Sequence, residues 1–75
     1  MAISLRMDMR KLVGRNAARL RKEAGLTQEQ LAERCGLSQQ YLSKLEKGER
    51  NPTVVTLHEI AQGLGVSHVE LVRVE

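Results

Sequence analysis

The sequence predicts an all-α domain, a compact bundle of five helices, and three observations support this fold class. Apolar residues recur at helical spacing in successive short segments, and no segment alternates apolar and polar residues as a half-buried strand does. Hydroxyl residues suited to cap helix starts, and glycines suited to end helices, divide the chain into short segments. A chain of 75 residues has room for one domain. We expect this domain to span residues 9–75, after an N-terminal extension of residues 1–8.

The first helix is predicted to run from Asp8 or Met9 to Ala24. Its apolar stripe consists of Val13, Ala17, Leu20 and Ala24. Gly25 follows, and a glycine directly after an apolar-periodic segment is a helix stop signal. The first helix therefore has one side suited to face a core.

The chain then encodes two short helices around Gly36, which we expect to span Thr27 to Cys35 and Ser38 to Lys47. Each begins with a hydroxyl N-cap inside a hydrophobic staple, formed by Leu26 with Leu31 and by Leu37 with Leu42. Thr27 and Gln30 also make a capping box. Gly36 supplies the positive φ that ends the second helix and lets the third leave at a steep angle. These features predict a helix-turn-helix.

Two further helices follow a loop over residues 48–52, because Pro52 marks a boundary that a helix does not cross. Thr53 is the expected N-cap of the fourth helix, whose apolar stripe consists of Leu57, Ile60, Ala61 and Leu64. Gly63 and Gly65 are expected to end it. A second capping box, Ser67 with Glu70, and a staple of Val66 with Leu71 predict a short fifth helix that begins at Ser67.

The outward face of the predicted third helix is polar and lacks carboxylates, whereas Leu42 and Leu45 lie on its core-facing side. The polar residues are Gln39, Gln40, Ser43, Lys44 and Lys47. Glutamine can bind adenine bidentately in the major groove of DNA, and lysine can donate to guanine. An ordinary solvated face would have the same composition. The preceding helix, the glycine turn and the small Ala32 at the expected crossing point favour a nucleic-acid interface.

A family resemblance rests on Gln28, Ala32, Gly36, Leu42 and Leu45, followed by Glu46-Lys47-Gly48 and Asn51-Pro52-Thr53. With these residues the chain resembles the phage-repressor and Cro type of helix-turn-helix domain, the xenobiotic-response-element-like bacterial transcriptional regulators. The resemblance covers about Val13 to Val72. It implies a lambda-repressor-like domain of five helices that binds double-stranded DNA as a homodimer. The third helix would enter the major groove of a palindromic operator.

The resemblance also implies roles for individual residues. The base-reading residues would be Gln39, Gln40, Ser43 and Lys44. Phosphate contacts would come from Thr27, Gln28, Tyr41, Lys47, Arg50 and Asn51. Free N–H groups in the first turn of the second helix favour a phosphate near Gln28, and we expect the N–H groups of residues 48–51 to contribute to a second phosphate clamp. Arg21 and Glu46 match the positions of a largely buried ion pair, although solvated surface charge is the alternative for either residue alone.

Charge is distributed unevenly around the net value of +3. Residues 1–22 contain seven Lys or Arg and one acid, whereas residues 23–75 contain five Lys or Arg and eight acids. One side of the first helix carries Lys11, Arg15, Arg19 and Lys22. This side is either an ordinary solvated surface or a source of long-range attraction for DNA. The resemblance implies that only the end of this helix nearest Gln28 approaches phosphate.

Several function classes receive no support. His58 and His68 are ten residues apart and Cys35 lies on a core face, so no metal, cofactor or nucleophile site is expected and the protein is not expected to be an enzyme. One cysteine cannot form an internal disulfide, and neither a secretory signal nor a membrane-spanning segment is recognisable. We therefore expect a cytosolic protein. Tyr41 is the only aromatic residue apart from histidine, too few rings for a platform that stacks single-stranded bases.

Two functions remain open at this point. A sequence-specific regulator could repress by occluding a promoter or activate by contacting RNA polymerase. The alternative is a protein-interaction module, such as an antitoxin whose main partner is a toxin. Antitoxins of this fold often carry a binding segment beyond the DNA-binding domain, and only residues 73–75 follow the predicted fifth helix, which favours the regulator. Residues 1–7 keep the alternative open.

Assembly is predicted from the apolar residues at the end of the chain. The fifth helix has more of them than one short helix can bury against so small a domain, namely Val69, Leu71, Val72 and Val74. An exposed apolar patch usually marks a contact. These residues are the predicted contacts of a symmetric homodimer, although folding alone could absorb Leu71 and Val72.

Overall fold

The computed structural model describes residues 8–74, so residues 1–7 of the predicted extension, and Glu75, lie outside the described residues. Five α-helices and no strands are present in this range. The all-α prediction is therefore confirmed. The helices are α1 (Met9–Glu23), α2 (Gln28–Cys35), α3 (Gln39–Glu46), α4 (Val54–Leu64) and α5 (Val69–Val72).

Local side-chain hydrogen bonds explain where the first four helices begin. Asp8 caps α1, because its carboxylate accepts from the backbone N–H of Arg10 at 3.0 Å. Thr27 and Gln30 form the predicted capping box of α2, in which each side chain accepts from the other residue's backbone N–H at 3.1 and 2.9 Å. Ser38 and Thr53 cap α3 and α4 by accepting from the N–H three residues later, at 3.0 and 3.1 Å.

The fifth helix begins at Val69, so the prediction that it begins at Ser67 is wrong. The Ser67 hydroxyl accepts from the N–H of Val69 at 3.2 Å. The carboxylate of Glu70 does not complete a capping box because it accepts from the guanidinium of Arg73 at 2.7 Å, and such charge-assisted bonds are stronger than a bond to a neutral amide. Ser67 therefore shapes the turn before α5 rather than starting the helix.

Two other details of the predicted helices require correction. Gly63 lies inside α4 rather than ending it, and Gly65, with φ of +74°, is the stop residue. A Cβ at Gly63 would lie 2.6 Å from the sulfur of Cys35, so glycine is needed there for the close approach of α2 and α4. Ala24 is an exposed C-cap residue rather than part of the apolar stripe of α1.

The core is formed where α1 packs against α3 and α5, and α2 packs against α3 and α4. Its largest fully buried apolar side chains are Leu12, Leu31, Leu42, Leu45, Ile60 and Leu71. At the crossing of α1 and α3, a Cβ on Gly14 would lie only 2.5 Å from the carbonyl oxygen of Leu45. The two helices therefore pack backbone against backbone, which sets how α3 is presented to solvent.

One polar side chain, Asn16 on α1, is fully buried in this core. Its Nδ2 donates to the carbonyl oxygens of Leu71 and Arg73, both at 2.9 Å. These carbonyls belong to the end of α5, where a helix has no internal partners for them. Asn16 therefore links α5 to α1.

No helix in residues 8–74 combines the length and apolar character needed to cross a bilayer.

Candidate nucleic-acid interface

The outer face of α3 and the start of α2 form one shallow groove of about 370 Å³. It is lined by Gln28, Gln39, Gln40, Ser43, Lys44 and Lys47. The four residues predicted to read bases therefore lie together, and two of the residues predicted to contact phosphate flank them. No carboxylate lines the groove.

The backbone of α3 is held firmly behind this groove. Leu42 and Leu45 are 0% and 1% exposed, and the α1 backbone at Gly14 contacts the last turn of α3. Gly36, with φ of +71°, ends α2 and lets the chain reverse into α3. The polar side chains of α3 consequently project from a rigid element, as precise recognition requires.

A nearly buried ion pair joins α1 to the end of α3. The Nε and Nη2 atoms of Arg21 donate to the two carboxylate oxygens of Glu46 at 2.7 and 3.1 Å, and the two side chains are 12% and 7% exposed. Arg21 also donates to the carbonyl oxygen of Leu26 at 2.8 Å. The structure thus contains the ion pair implied by the family resemblance. Arg21 neutralises the negative charge of Glu46 at the end of α3.

Gln28 is part of the same network, which the sequence did not indicate. Its Nε2 donates to Glu46 Oε1 at 3.0 Å, and its side chain is half-buried. The amide nitrogen carries two hydrogens, so one remains for another acceptor. Glu46 therefore orients Gln28 at the N-terminus of α2, where unpaired N–H groups and the helix dipole favour an anion.

Tyr41 and Arg50 lie together beyond the groove. The ring of Tyr41 is half-buried against the core, and the guanidinium carbon of Arg50 lies 4.9 Å from the ring centroid. This is cation–π geometry. The aromatic ring therefore holds a positive charge beside α3, in addition to the phosphate contact predicted for Tyr41.

The loop after α3 supplies fewer backbone donors than predicted. The N–H groups of Gly48 and Glu49 donate to the carbonyls of Leu45 and Lys44, both at 3.0 Å, in a Schellman motif that ends α3. These two N–H groups already donate to backbone carbonyls. The prediction that the N–H groups of residues 48–51 all donate to a phosphate is therefore wrong for Gly48 and Glu49. The side chains of Lys47, Arg50 and Asn51 are exposed.

Lys11 lies against this loop and was not among the predicted contacts. A Cβ on Gly48, whose φ is +79°, would lie 2.8 Å from Lys11 Cγ. The N-terminal part of α1 therefore reaches the loop after α3, whereas the family resemblance implied that only the end nearest Gln28 approaches phosphate. Lys11 precedes Gly14 by three residues, so helical spacing already places the two on one face.

Two arginines of α1, of which Arg19 lies on its basic side, are paired with nearby carboxylates. Arg19 donates to Glu23 at 3.4 Å, and Arg10 donates to Asp8 at 3.4 Å. The hydrogen bond from Arg10 lowers the pKa of the Asp8 carboxyl. Because exposed pairs of this kind are worth little, these contacts resemble an ordinary solvated surface.

The predicted dimer contacts divide into two groups. Val69, Val72 and Val74 are 46%, 37% and 62% exposed, whereas Leu71 is 0% exposed and belongs to the core. The prediction that Leu71 contributes to a dimer surface is therefore wrong. Val54 and Val55 at the start of α4 are also exposed. An apolar groove of about 370 Å³ is lined by Val54, Leu57, His58, His68 and Val72.

Comparison with known proteins identifies the family. The helix-turn-helix family model HTH_3 matches residues 18–71. An uncharacterised HTH-type transcriptional regulator of Sinorhizobium fredii, y4dJ, is 74% identical over 66 residues, which cover 88% of this chain and 86% of that protein. The immunity repressor of Bacillus phage phi105 is 41% identical over 54 residues, which cover 72% of this chain and 38% of the repressor.

The fold of the chain is also similar to that of a solved regulator structure. The restriction-modification controller protein C.AhdI from Aeromonas hydrophila superposes with a TM-score of 0.80 at 34% identity, over 83% of this chain and 90% of the controller. Both the sequence relatives and the fold therefore lead to the same class. The chain belongs to the Cro/C1-type helix-turn-helix family of DNA-binding transcriptional regulators.

Proposed function

We propose that this regulator binds a palindromic operator in double-stranded DNA as a homodimer, with α3 of each copy in the major groove. The observation that carries the proposal is the groove of Gln28, Gln39, Gln40, Ser43, Lys44 and Lys47. Its lining consists of amides, a hydroxyl and ammonium groups around a helix whose backbone is fixed from behind. An α-helix fits the major groove, where each base pair presents a distinct pattern of donors and acceptors.

Base recognition follows from the side-chain chemistry of α3. Gln39 and Gln40 can each pair with N6 and N7 of adenine, Lys44 can donate to O6 or N7 of guanine, and Ser43 can donate or accept. A good bidentate contact contributes about 1–3 kcal/mol of discrimination against the wrong base. The two glutamines are therefore the main determinants of sequence preference in this proposal.

Phosphate contacts at both ends of α3 would fix its register. At the start of α2, Thr27 and Gln28 lie beside N–H groups that favour a phosphate. At the other end, Tyr41, Lys47, Arg50 and Asn51 form the second contact, to which we add Lys11 because its side chain packs against Gly48. Such contacts position the protein without reading sequence.

A homodimer is proposed because one recognition helix reads too few base pairs to define a genomic site. Val69, Val72 and Val74 expose apolar surface on and after α5, and this surface suits an isologous two-fold contact. The two copies of α3 would then lie about 34 Å apart, one turn of DNA. Occlusion of a promoter and contact with RNA polymerase are both compatible with this arrangement.

The test is selection of bound sequences from random double-stranded DNA, followed by affinity measurements with variants. Gln39→Ala should weaken operator binding by about 1–3 kcal/mol and leave non-specific binding nearly unchanged, whereas Gln28→Ala should weaken both. Gln62→Ala, which removes an exposed glutamine from α4, is the matched control. Equal loss of specific and non-specific affinity in Gln39→Ala would show that α3 is not the reading helix.

A further inference from the structure

The two histidines of the chain lie together in an apolar groove that shares no lining residue with the groove of α3. His58 lies on α4 and His68 immediately precedes α5. Their ring centroids are 6.4 Å apart, with the rings inclined at 60° in an edge-to-face arrangement. Both side chains are exposed and line the apolar groove with Val54, Leu57 and Val72.

The separation suits a shared metal ion. With metal–nitrogen bonds of about 2.0–2.1 Å, and about 1.1 Å from a ring nitrogen to its ring centre, two imidazoles on one ion have centres about 5 Å apart at a tetrahedral angle and about 6.4 Å apart when they are trans. The observed 6.4 Å matches trans ligands, and the two ring centres must move about 1 Å closer to share a tetrahedral ion such as Zn²⁺. Because both side chains are exposed, rotation about their χ angles can turn a nitrogen of each ring toward a common point.

We propose that His58 and His68 bind one divalent ion of the imidazole-preferring class, Zn²⁺, Cu²⁺ or Ni²⁺. Residues 8–74 contain no cluster of three or more metal-ligating side chains. The site therefore has two protein ligands, and water completes the coordination. This is an open, exchangeable site rather than a closed structural zinc site, which takes four protein ligands.

The chain brings the two histidines together although they are distant in sequence. Ten residues separate the histidines along the chain, but the turn at Gly65, with φ of +74°, folds His68 back toward α4. An ion bound to both would join α4 to the start of α5. Metal occupancy is therefore expected to stabilise the docking of α5.

Cys35 is the main competing ligand and can be separated by experiment. It lines a different cavity, with Arg34, Glu59, Gln62 and Gly63. Burial, with a smaller contribution from Glu59, raises the pKa of the Cys35 thiol, which disfavours the thiolate that binds metal. Removing this thiol should leave metal binding by the histidine pair unchanged.

Calorimetric titration of the full chain with ZnCl₂ at pH 7.5, without DNA, tests the proposal. The expected result is one ion per chain, with Cys35→Ala equal to the wild type. His58→Gln and His68→Gln should each weaken the affinity by at least roughly ten-fold, because a single remaining imidazole cannot chelate. Unchanged affinity in either histidine variant would overturn the proposal, as would full-strength binding by the double variant.

Thermal unfolding gives a second and independent readout. A free Zn²⁺ concentration ten times Kd should raise Tm by about 5–10 °C in the wild type and in Cys35→Ala. The shift should fall to about a third or less in each histidine variant, because a variant with ten-fold weaker affinity is only half occupied at this Zn²⁺ concentration. A Tm shift that persists at full size in His58→Gln would contradict the site. Neither measurement depends on whether the protein binds an operator.

Discussion

Arg21 and Glu46 join α1 to the end of α3 through two parallel hydrogen bonds of 2.7 and 3.1 Å, with most of both side chains removed from solvent. Glu46 also holds Gln28 at the start of α2. One carboxylate therefore connects the three helices that carry the candidate interface. The geometry of the pair is the bidentate one that gives arginine–carboxylate contacts their directional specificity.

Removal of one member of this pair is expected to be costly. Arg21→Met should lower the free energy of unfolding by about 3–5 kcal/mol, because Glu46 is left as an unpaired charge. Arg21→Met combined with Glu46→Leu should recover most of this loss. Recovery should be incomplete, since the Leu26 carbonyl and the Gln28 amide also lose partners. Urea unfolding measures all three variants, and additive losses would contradict energetic coupling.

Substitution by alanine should change the free energy of unfolding differently at the two glycines where helices cross, Gly14 and Gly63. At Gly14 a Cβ meets the backbone of Leu45 and Glu46, which cannot move aside, so the strain should outweigh the gain of about 1 kcal/mol in helix propensity. We expect a net loss of about 2 kcal/mol. At Gly63 the nearest atom is the Cys35 sulfur. Gly63→Ala should therefore cost less in a Cys35→Ala background, as denaturant midpoints will show.

Tyr41 should contribute to DNA affinity in two separable ways. Tyr41→Phe removes a hydroxyl that we expect to reach a phosphate and should cost about 0.5–1.5 kcal/mol. Tyr41→Leu also removes the ring under Arg50 and should cost about 0.5–1 kcal/mol more. Arg50→Gln should reduce the salt dependence of binding by about one phosphate contact. Equal affinities of the Phe and Leu variants would exclude positioning of Arg50 by the ring.

The proposed dimer surface predicts a clear change in assembly. Val72→Lys places a charge in the apolar patch beside Val69 and Val74 and should shift the protein toward monomer in sedimentation at micromolar concentration. Operator affinity should fall with it, whereas circular dichroism should stay unchanged because Val72 is partly exposed. Gln62→Lys on α4 is the control. Wild-type protein that binds one copy per operator would contradict the dimer.

The parts of the fold that depend on local hydrogen bonds were predictable from sequence. Thr27, Ser38 and Thr53 each bond to an N–H three residues away, so the start of each helix is encoded within four residues. The prediction that Gly63 ends α4 is wrong because the role of Gly63 depends on Cys35, which is distant in sequence. The capping box at Ser67 failed for a similar reason, since Glu70 had a stronger partner in Arg73.

The candidate interface was predictable to the extent that one helix face determines it. Gln39, Gln40, Ser43 and Lys44 share a face by helical spacing alone, and the structure brings them into one groove. The contact of Gln28 with Glu46 joins residues 18 positions apart, and that of Asn16 with Leu71 joins residues 55 positions apart. Nothing in the local pattern distinguishes such amides from exposed ones.

The hydrogen bonds from Asn16 to the end of α5 have a consequence for how the protein assembles. A helix of four residues has no stability of its own, so the order of α5 depends on tertiary contacts such as the burial of Leu71 and the two bonds from Asn16. It should be the first part of residues 8–74 to open in native-state hydrogen exchange. The proposed dimer surface lies on this same element, so a copy with α5 undocked lacks the contact surface. Dimerisation and the docking of α5 would then be linked in one equilibrium. Dilution would favour the monomer and with it the undocked helix, and undocking of α5 would favour dissociation of the dimer.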